Sequence, residues 1–197
     1  MFGQHAVLDT LDLKKKCNMN ELLIHKATRD DLPAILDVQK KAFLEVARAF
    51  NLKTLPPLAQ TLESLIDEFE NGTILKATLM QTLAMKDDLD SRVRTLKGTS
   101  GNDKEDIIVG SVRAHQKEDT CSIGRLVVLP EYQNQGIGKA LMREIEHQYT
   151  GMVKRFELFT GMRDSRNRHF YDRLGYKPFK TEKLNDDVTF VFLEKSA

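Results

Sequence analysis

One stretch combines residue types and spacing that can do chemistry: residues 124–141, where Gln133, Gly136 and Gly138 lie between an apolar run and an amphipathic one. Glycines at 136 and 138 remove side chains where a strand turns into a helix, so the backbone can bend there and come close to a ligand. The helix that follows leaves its first N–H groups without intrahelical partners and points the positive end of its dipole back into the turn. A turn of this kind is an anion site, most readily for phosphate.

Other glycine loops are excluded by single residues. A P-loop needs a glycine five residues before the Gly138-Lys139 pair and a Ser or Thr after it, but Gln133 and Ala140 stand there. A dinucleotide fingerprint starting at Gly136 needs a third Gly or Ala where Leu141 stands, and its preceding strand belongs to an apparent hairpin rather than a parallel crossover. No Gly-x-Ser-x-Gly elbow is present, and His5, His25, His115, His147 and His169 never pair at metal-binding spacing, so no metal is expected.

The elements that must hold this turn follow from periodicity. Residues 22–27 alternate weakly as a strand, and Thr28 to Asp31 has capping-box spacing with Pro33 tolerated in the first turn of a helix. Leu32, Ile35, Leu36, Phe43, Val46, Ala47 and Phe50 form its apolar stripe. Pro56-Pro57 ends that unit, and Leu58, Leu62, Leu65, Ile66 and Phe69 mark a second helix stopped by Asn71-Gly72. Residues 73–79 are a strand candidate. Residues 81–106 are polar and charged and read as a long connection, either one wall of a substrate entrance or a tolerated surface insertion.

Residues 107–115 and 120–129 suggest an antiparallel hairpin closed by Pro130. Ile137, Ala140, Leu141, Ile145 and Tyr149 predict a helix ended by Gly151 that lays one face on the sheet. Residues 156–160 read as a buried strand and 165–174 as a short helix with Gly175 at its C-terminal cap. Residues 177–183 and 188–194 form a closing hairpin around Asn185-Asp186-Asp187. The order predicts a mixed α/β layer in one domain, 19–197, with 1–18 as a peripheral leader.

At Gln133-x-x-Gly136-x-Gly138 the sequence resembles the GCN5-related N-acetyltransferase (GNAT) family, and a second segment at the right separation carries the same resemblance. Asn167, Tyr171, Gly175 and Tyr176 fit that family's Asn-x-x-x-Tyr-x-x-x-Gly-aromatic pattern. The likeness is strong over 124–176 and weak over 1–20 and 81–106. It implies a mostly antiparallel sheet of about six to seven strands flanked by about four helices and splayed at the cofactor site.

It further implies acetyl-CoA as cosubstrate, with the pyrophosphate on the backbone N–H groups of Asn134, Gln135, Gly136, Ile137, Gly138 and Lys139. The pantetheine arm would pair along Leu126, Val127 and Val128, where a bulge would splay a pair of parallel strands. The Val128 amide would stabilise the oxyanion, Tyr171 would protonate the departing thiolate, and Asn167 would contact the cofactor. Read from the residues alone, Gln133 is either a cofactor contact or a turn residue, Tyr171 either the acid or plain core. Lys139 and Arg143 meet phosphates or lie on a solvated helix face.

The activity implied is an acyltransferase: direct transfer to a primary amine of a small molecule, peptide or protein, through a tetrahedral intermediate. Many relatives carry a basic Glu or His on the strand ending at Leu129, but Ser122 and Gly124 occupy the corresponding positions here. Glu118, His115 and Glu157 remain open through water, and none is assigned. The missing base supports the alternative, a non-catalytic sensor of acyl-CoA. The family also implies a possible homodimer.

Composition bounds the partners. With 30 Lys+Arg against 29 Asp+Glu the net charge is +1, which gives no global field toward nucleic acid or a membrane surface. Cys17 and Cys121 are the only cysteines, so a reducing, cytoplasmic setting is expected, and nothing in the sequence around Cys121 marks it as a nucleophile.

Overall fold

A computed structural model describes residues 22–51, 55–80, 106–184 and 188–197. The leader at 1–18, the connection up to residue 105 and the hairpin loop at 185–187 lie outside the described residues. The elements run β1 (Leu22–Lys26), a 3-10 turn (Arg29–Asp31), α1 (Leu32–Phe50), α2 (Pro56–Ala59), α3 (Leu62–Glu70), β2 (Thr73–Met80), β3 (Asp106–Lys117) and β4 (Thr120–Val128). A second 3-10 turn (Pro130–Tyr132) leads to α4 (Ile137–Tyr149), β5 (Arg155–Gly161), α5 (Ser165–Arg173), β6 (Lys177–Lys183) and β7 (Thr189–Ser196). They build a seven-stranded sheet in the order β1-β2-β3-β4-β5-β7-β6. Every pairing is antiparallel except β4 with β5.

Strand alternation gives the sheet two differently covered faces. Leu75, Ala77 and Leu79 of β2 point toward α4, whose Ile137, Leu141, Met142 and Ile145 are buried among them. Ile74 points the other way, into a cluster with Leu32, Ile35 and Leu36 of α1 and Leu65 of α3. Tyr171 and Tyr176 join the α4 side, while Val38 and Ala42 of α1 pack on Val127 and Leu129.

The helix start at Thr28 forms as the spacing predicts: the Thr28 N–H and hydroxyl both donate to Asp31 Oδ2 at 2.7 Å. The segment 29–31 is a tighter 3-10 turn, and α1 proper begins at Leu32. Two expectations need correction. The buried stripe of α1 includes Val38, Gln39 and Ala42, whereas Phe50 is exposed. The second helix is broken in two, because Gln60 adopts an extended backbone and Thr61 then caps α3, accepting from the Ser64 N–H.

Asp31 also ties α1 to the sheet, its Oδ1 accepting from Lys76 Nζ at 2.6 Å with both side chains largely buried. Burial by itself raises the Asp31 carboxyl, but the bonds from Lys76 and Thr28 outweigh it and hold the group below its ordinary 3.8. The carboxylate therefore stabilises the fold above that ordinary value, and the contribution is lost as pH falls through the lower, folded value. Asp31→Asn should cost about 1–2 kcal/mol at neutral pH. In denaturant titrations at two pH values, the gap to the native protein should close in acid; a gap that persists there contradicts the assignment.

The middle of the sheet is irregular. Val128 lies opposite Gly110 and Val127 opposite Ser111, but Gly124 lies opposite Arg113, so Arg125 and Leu126 together face Val112. This extra residue is a β-bulge, and Arg125 takes its left-handed position at φ 51°. Past it, β4 and β5 diverge: they pair only from Thr120–Arg155 to Ser122–Glu157.

Candidate functional site

The splay exposes one edge of β4. The Leu129 N–H donates to Val109 at 2.9 Å, so the backbone of Leu129 faces β3 and that of Val128 faces the opening toward β5. By the same alternation Val127 turns its backbone groups to β3, leaving Leu126 and Val128 directed to the opening. Gln133 closes the following turn by donating Nε2 to the Val128 carbonyl at 3.0 Å.

That turn needs two left-handed residues. Asn134 at φ 61° is of a type that tolerates this conformation, and Gly136 at φ 86° meets no Cβ penalty. Gly136 is the N-cap of α4 and brings no capping side chain. The first helical bond runs from the Ala140 N–H to the Gly136 carbonyl at 3.0 Å. The N–H groups of Ile137, Gly138 and Lys139 therefore precede the helical ladder, at the positive end of the helix dipole. A glycine cap leaves those donors to a ligand where Ser or Asp would take one. This donor set suits a phosphate.

The second motif segment meets the first here. A Cβ at Gly138 would lie 3.6 Å from the Phe170 ring and 3.9 Å from both Leu126 and Val128, so α5 and the end of β4 converge on this glycine. Arg166 of α5, which the sequence did not single out, donates Nη2 to Gln133 Oε1 at 3.2 Å and to Asn134 Oδ1 at 3.0 Å. Asn167 is exposed and bonds the Asp164 carboxylate through its N–H at 2.9 Å and Nδ2 at 2.7 Å. Lys139 and Arg143 lie exposed on α4.

Tyr171 is buried beside Phe170 and Tyr176, with ring centroids 5.2 and 6.0 Å away. Burial, and then the charge of Asp164, push its hydroxyl well above the ordinary tyrosine value, so it carries its proton at neutral pH. Cys121 is fully buried, and burial followed by the charge of Glu146 pushes its thiol up to about 12. Such a thiol is no nucleophile at neutral pH.

His115 pairs with Ser122, Ser122 pairs with Glu157, and Glu118 sits in the β3–β4 turn. All three candidate bases thus lie at the closed end of the splay, with Ser122 about 20 Å along the strand from Val128. Glu157 is in addition held by Arg155 at 2.8 Å.

On the opposite face lies a polar cluster that the sequence left illegible. Arg113 is only 6% exposed. Its Nη2 donates to Gln39 at 2.5 Å, and its Nη1 donates to Glu68 at 2.6 Å and Gln60 at 3.0 Å. Gln60 in turn donates to the other Glu68 oxygen at 2.7 Å. Arg125, half-buried, approaches the same group: it feels attraction to Glu68 and mutual repulsion with Arg113. Among the described residues no hydrogen bond or salt bridge reaches its guanidinium. Gly124 beside it faces open space, with nothing within 4 Å of where a Cβ would stand. Holding a non-glycine residue in the left-handed region costs about 1–2 kcal/mol.

Among the described residues no helix is long and apolar enough to cross a membrane. No group of three or more His, Cys, Asp or Glu among them could hold a metal.

Compared with known proteins, residues 102–178 match the model of the acetyltransferase (GNAT) domain. Among solved structures, PaiA N-acetyltransferase from Thermoplasma acidophilum in complex with coenzyme A aligns with a TM-score of 0.64 at 17% identity, over 90% of this chain and 99% of that one. The ribosomal-protein-S18-alanine N-acetyltransferase of Escherichia coli aligns at 0.62 and 14%, over 89% and 94% of the two chains. Ard1 from Thermoplasma volcanium aligns at 0.62 and 12%, over 89% and 97%. At these identities the likeness establishes a common fold. No curated protein matches the sequence.

Proposed function

We propose, from the premise that this chain carries a GNAT acetyltransferase fold, that it moves the acetyl group of acetyl-CoA directly to a primary amine. The observation that carries the reading is the glycine-capped N-terminus of α4 standing beside the opened edge of β4. The N–H groups from Asn134 to Lys139 would hold the pyrophosphate, with Gln133 bracing the turn. Leu126 and Val128 would receive the pantetheine arm along the edge that β5 leaves bare. Arg166 borders the same turn from α5, and Asn167, the next residue of that helix, would contact the cofactor.

In the transfer, the amine nitrogen attacks the thioester carbonyl, the new N–C bond forms and the C–S bond breaks. The Val128 N–H donates to the oxygen that gains charge, an interaction strongest in the transition state. The ammonium proton leaves to water, Tyr171 gives its hydroxyl proton to the thiolate, and solvent restores it. The raised thiol of Cys121 favours this direct route over an acetyl-enzyme.

The test is release of free coenzyme A from acetyl-CoA in the presence of a panel of amines, with the acetylated product identified by mass spectrometry. Acetylation of any amine supports the reading. Tight cofactor binding with no turnover on the whole panel would overturn it in favour of the acyl-CoA sensor.

A further inference from the structure

On the α1–α3 face of the sheet the Glu68 carboxylate is bonded by the Arg113 guanidinium and attracts a second one, that of Arg125, without a bond to it. Arg113 and Gln60 occupy both oxygens of Glu68, and Arg125 is left within its field but outside bonding reach. Charge withdrawn from water is kept only where it is paired, so among the described residues this half-buried cluster has a surplus positive charge that calls for an anion. We propose, building on the acetyl-transfer reading, that the acceptor is an amine that also bears a carboxylate, and that Arg125 binds that carboxylate.

Three features of the fold argue for this. Arg125 sits at the bulge itself, three residues before Val128 and so within about 10 Å of it along the strand, a span that one small molecule bridges. The floor beside it is open at Gly124. The backbone there is left-handed, where glycine would be cheaper, so arginine occupies a position that the fold itself does not favour for it.

Across the opening, β5 supplies an apolar wall. Ser122 and Glu157 are in register, so Phe159 stands at the level of Gly124 on the side away from Phe156 and Leu158. It is 51% exposed and packs against Phe190 and Phe192 at 4.9 and 5.5 Å. An apolar amino acid fits both features, its carboxylate on Arg125 and its side chain against Phe159. A polyamine would bring more positive charge to a site already in surplus.

The experiment measures kcat/KM for the standard amino acids, their carboxamides, aliphatic polyamines and lysine peptides in native protein and in Arg125→Gln. The native protein should prefer an acid over its own amide by about 10- to 100-fold, chiefly through KM. The amide has the less basic amine, so a preference for the acid cannot come from a larger unprotonated fraction. Arg125→Gln should bring the ratio close to one, and Arg125→Lys should restore some of it. A native ratio near one, a polyamine or lysine peptide as best acceptor, or a ratio untouched by Arg125→Gln overturns the inference while leaving acetyl transfer standing. Failure of acetyl transfer itself shows differently, as no product from any amine despite cofactor binding. A second readout separates ligand binding from a merely structural role. Arg125→Gly relieves the backbone and should hold or raise Tm, by up to about 4 °C, whereas a fall in Tm would assign Arg125 to the fold instead.

Discussion

Tyr171→Phe is expected to lower kcat by about 10²–10³-fold while the dissociation constant for acetyl-CoA changes by no more than about threefold. The substitution removes one hydroxyl and keeps the ring, so the packing on Phe170 and Tyr176 is retained and Tm serves as the control. Because burial and Asp164 raise the hydroxyl, the acid stays protonated throughout the neutral and mildly alkaline range. No alkaline loss of kcat below the ordinary tyrosine value should therefore originate at Tyr171. Coenzyme A release at saturating substrates decides the matter: a variant with native kcat removes Tyr171 from the chemistry and returns it to the core.

Gly136→Val should raise the acetyl-CoA dissociation constant about 100-fold or more, measured by calorimetry. A β-branched residue at φ 86° is strained by about 1–2 kcal/mol, and its methyl groups would lie over the N–H groups of Ile137 to Lys139. Gly138→Ala is the companion that separates site from fold. Its Cβ meets only ordinary contacts from 3.6 Å outward, and alanine is the better helix former by about 1 kcal/mol. That variant should fold at least as stably as native yet bind cofactor less well, since the added methyl stands between Phe170 and the edge of β4. Native affinity in both variants would contradict the assignment of the turn.

What could be read in the sequence was what local chemistry decides. Gly136 and Gly138 announce their backbone freedom by residue type, and the helix they open is written in the spacing of Ile137, Leu141 and Ile145. The order of strands and helices followed in the same way. Tertiary decisions were hidden. Gln39 is wholly buried because Arg113, seventy-four positions away, needs an acceptor there. Gln60 breaks a helix that periodicity joins, since its side chain is drawn into the same cluster. Arg125 looks like any strand residue, and only the offset between Ser111–Val127 and Arg113–Gly124 reveals its left-handed backbone. The general base is illegible for a related reason: the candidates read from the strand sit at the closed end of the splay.

The short run of pairing between β4 and β5 has a mechanical consequence. From Thr120–Arg155 to Ser122–Glu157, extended at one end by the Asp119 carbonyl accepting from the Lys154 and Arg155 N–H groups, it is a short backbone seam between a four-stranded half, β1 to β4, and a three-stranded half, β5, β7 and β6. Pulled apart, the sheet should yield along that line before it yields within either half. A molecule lying in the splay would act as a rivet across the seam, so its arrival should slow hydrogen exchange in β5 as well as in the strand it touches.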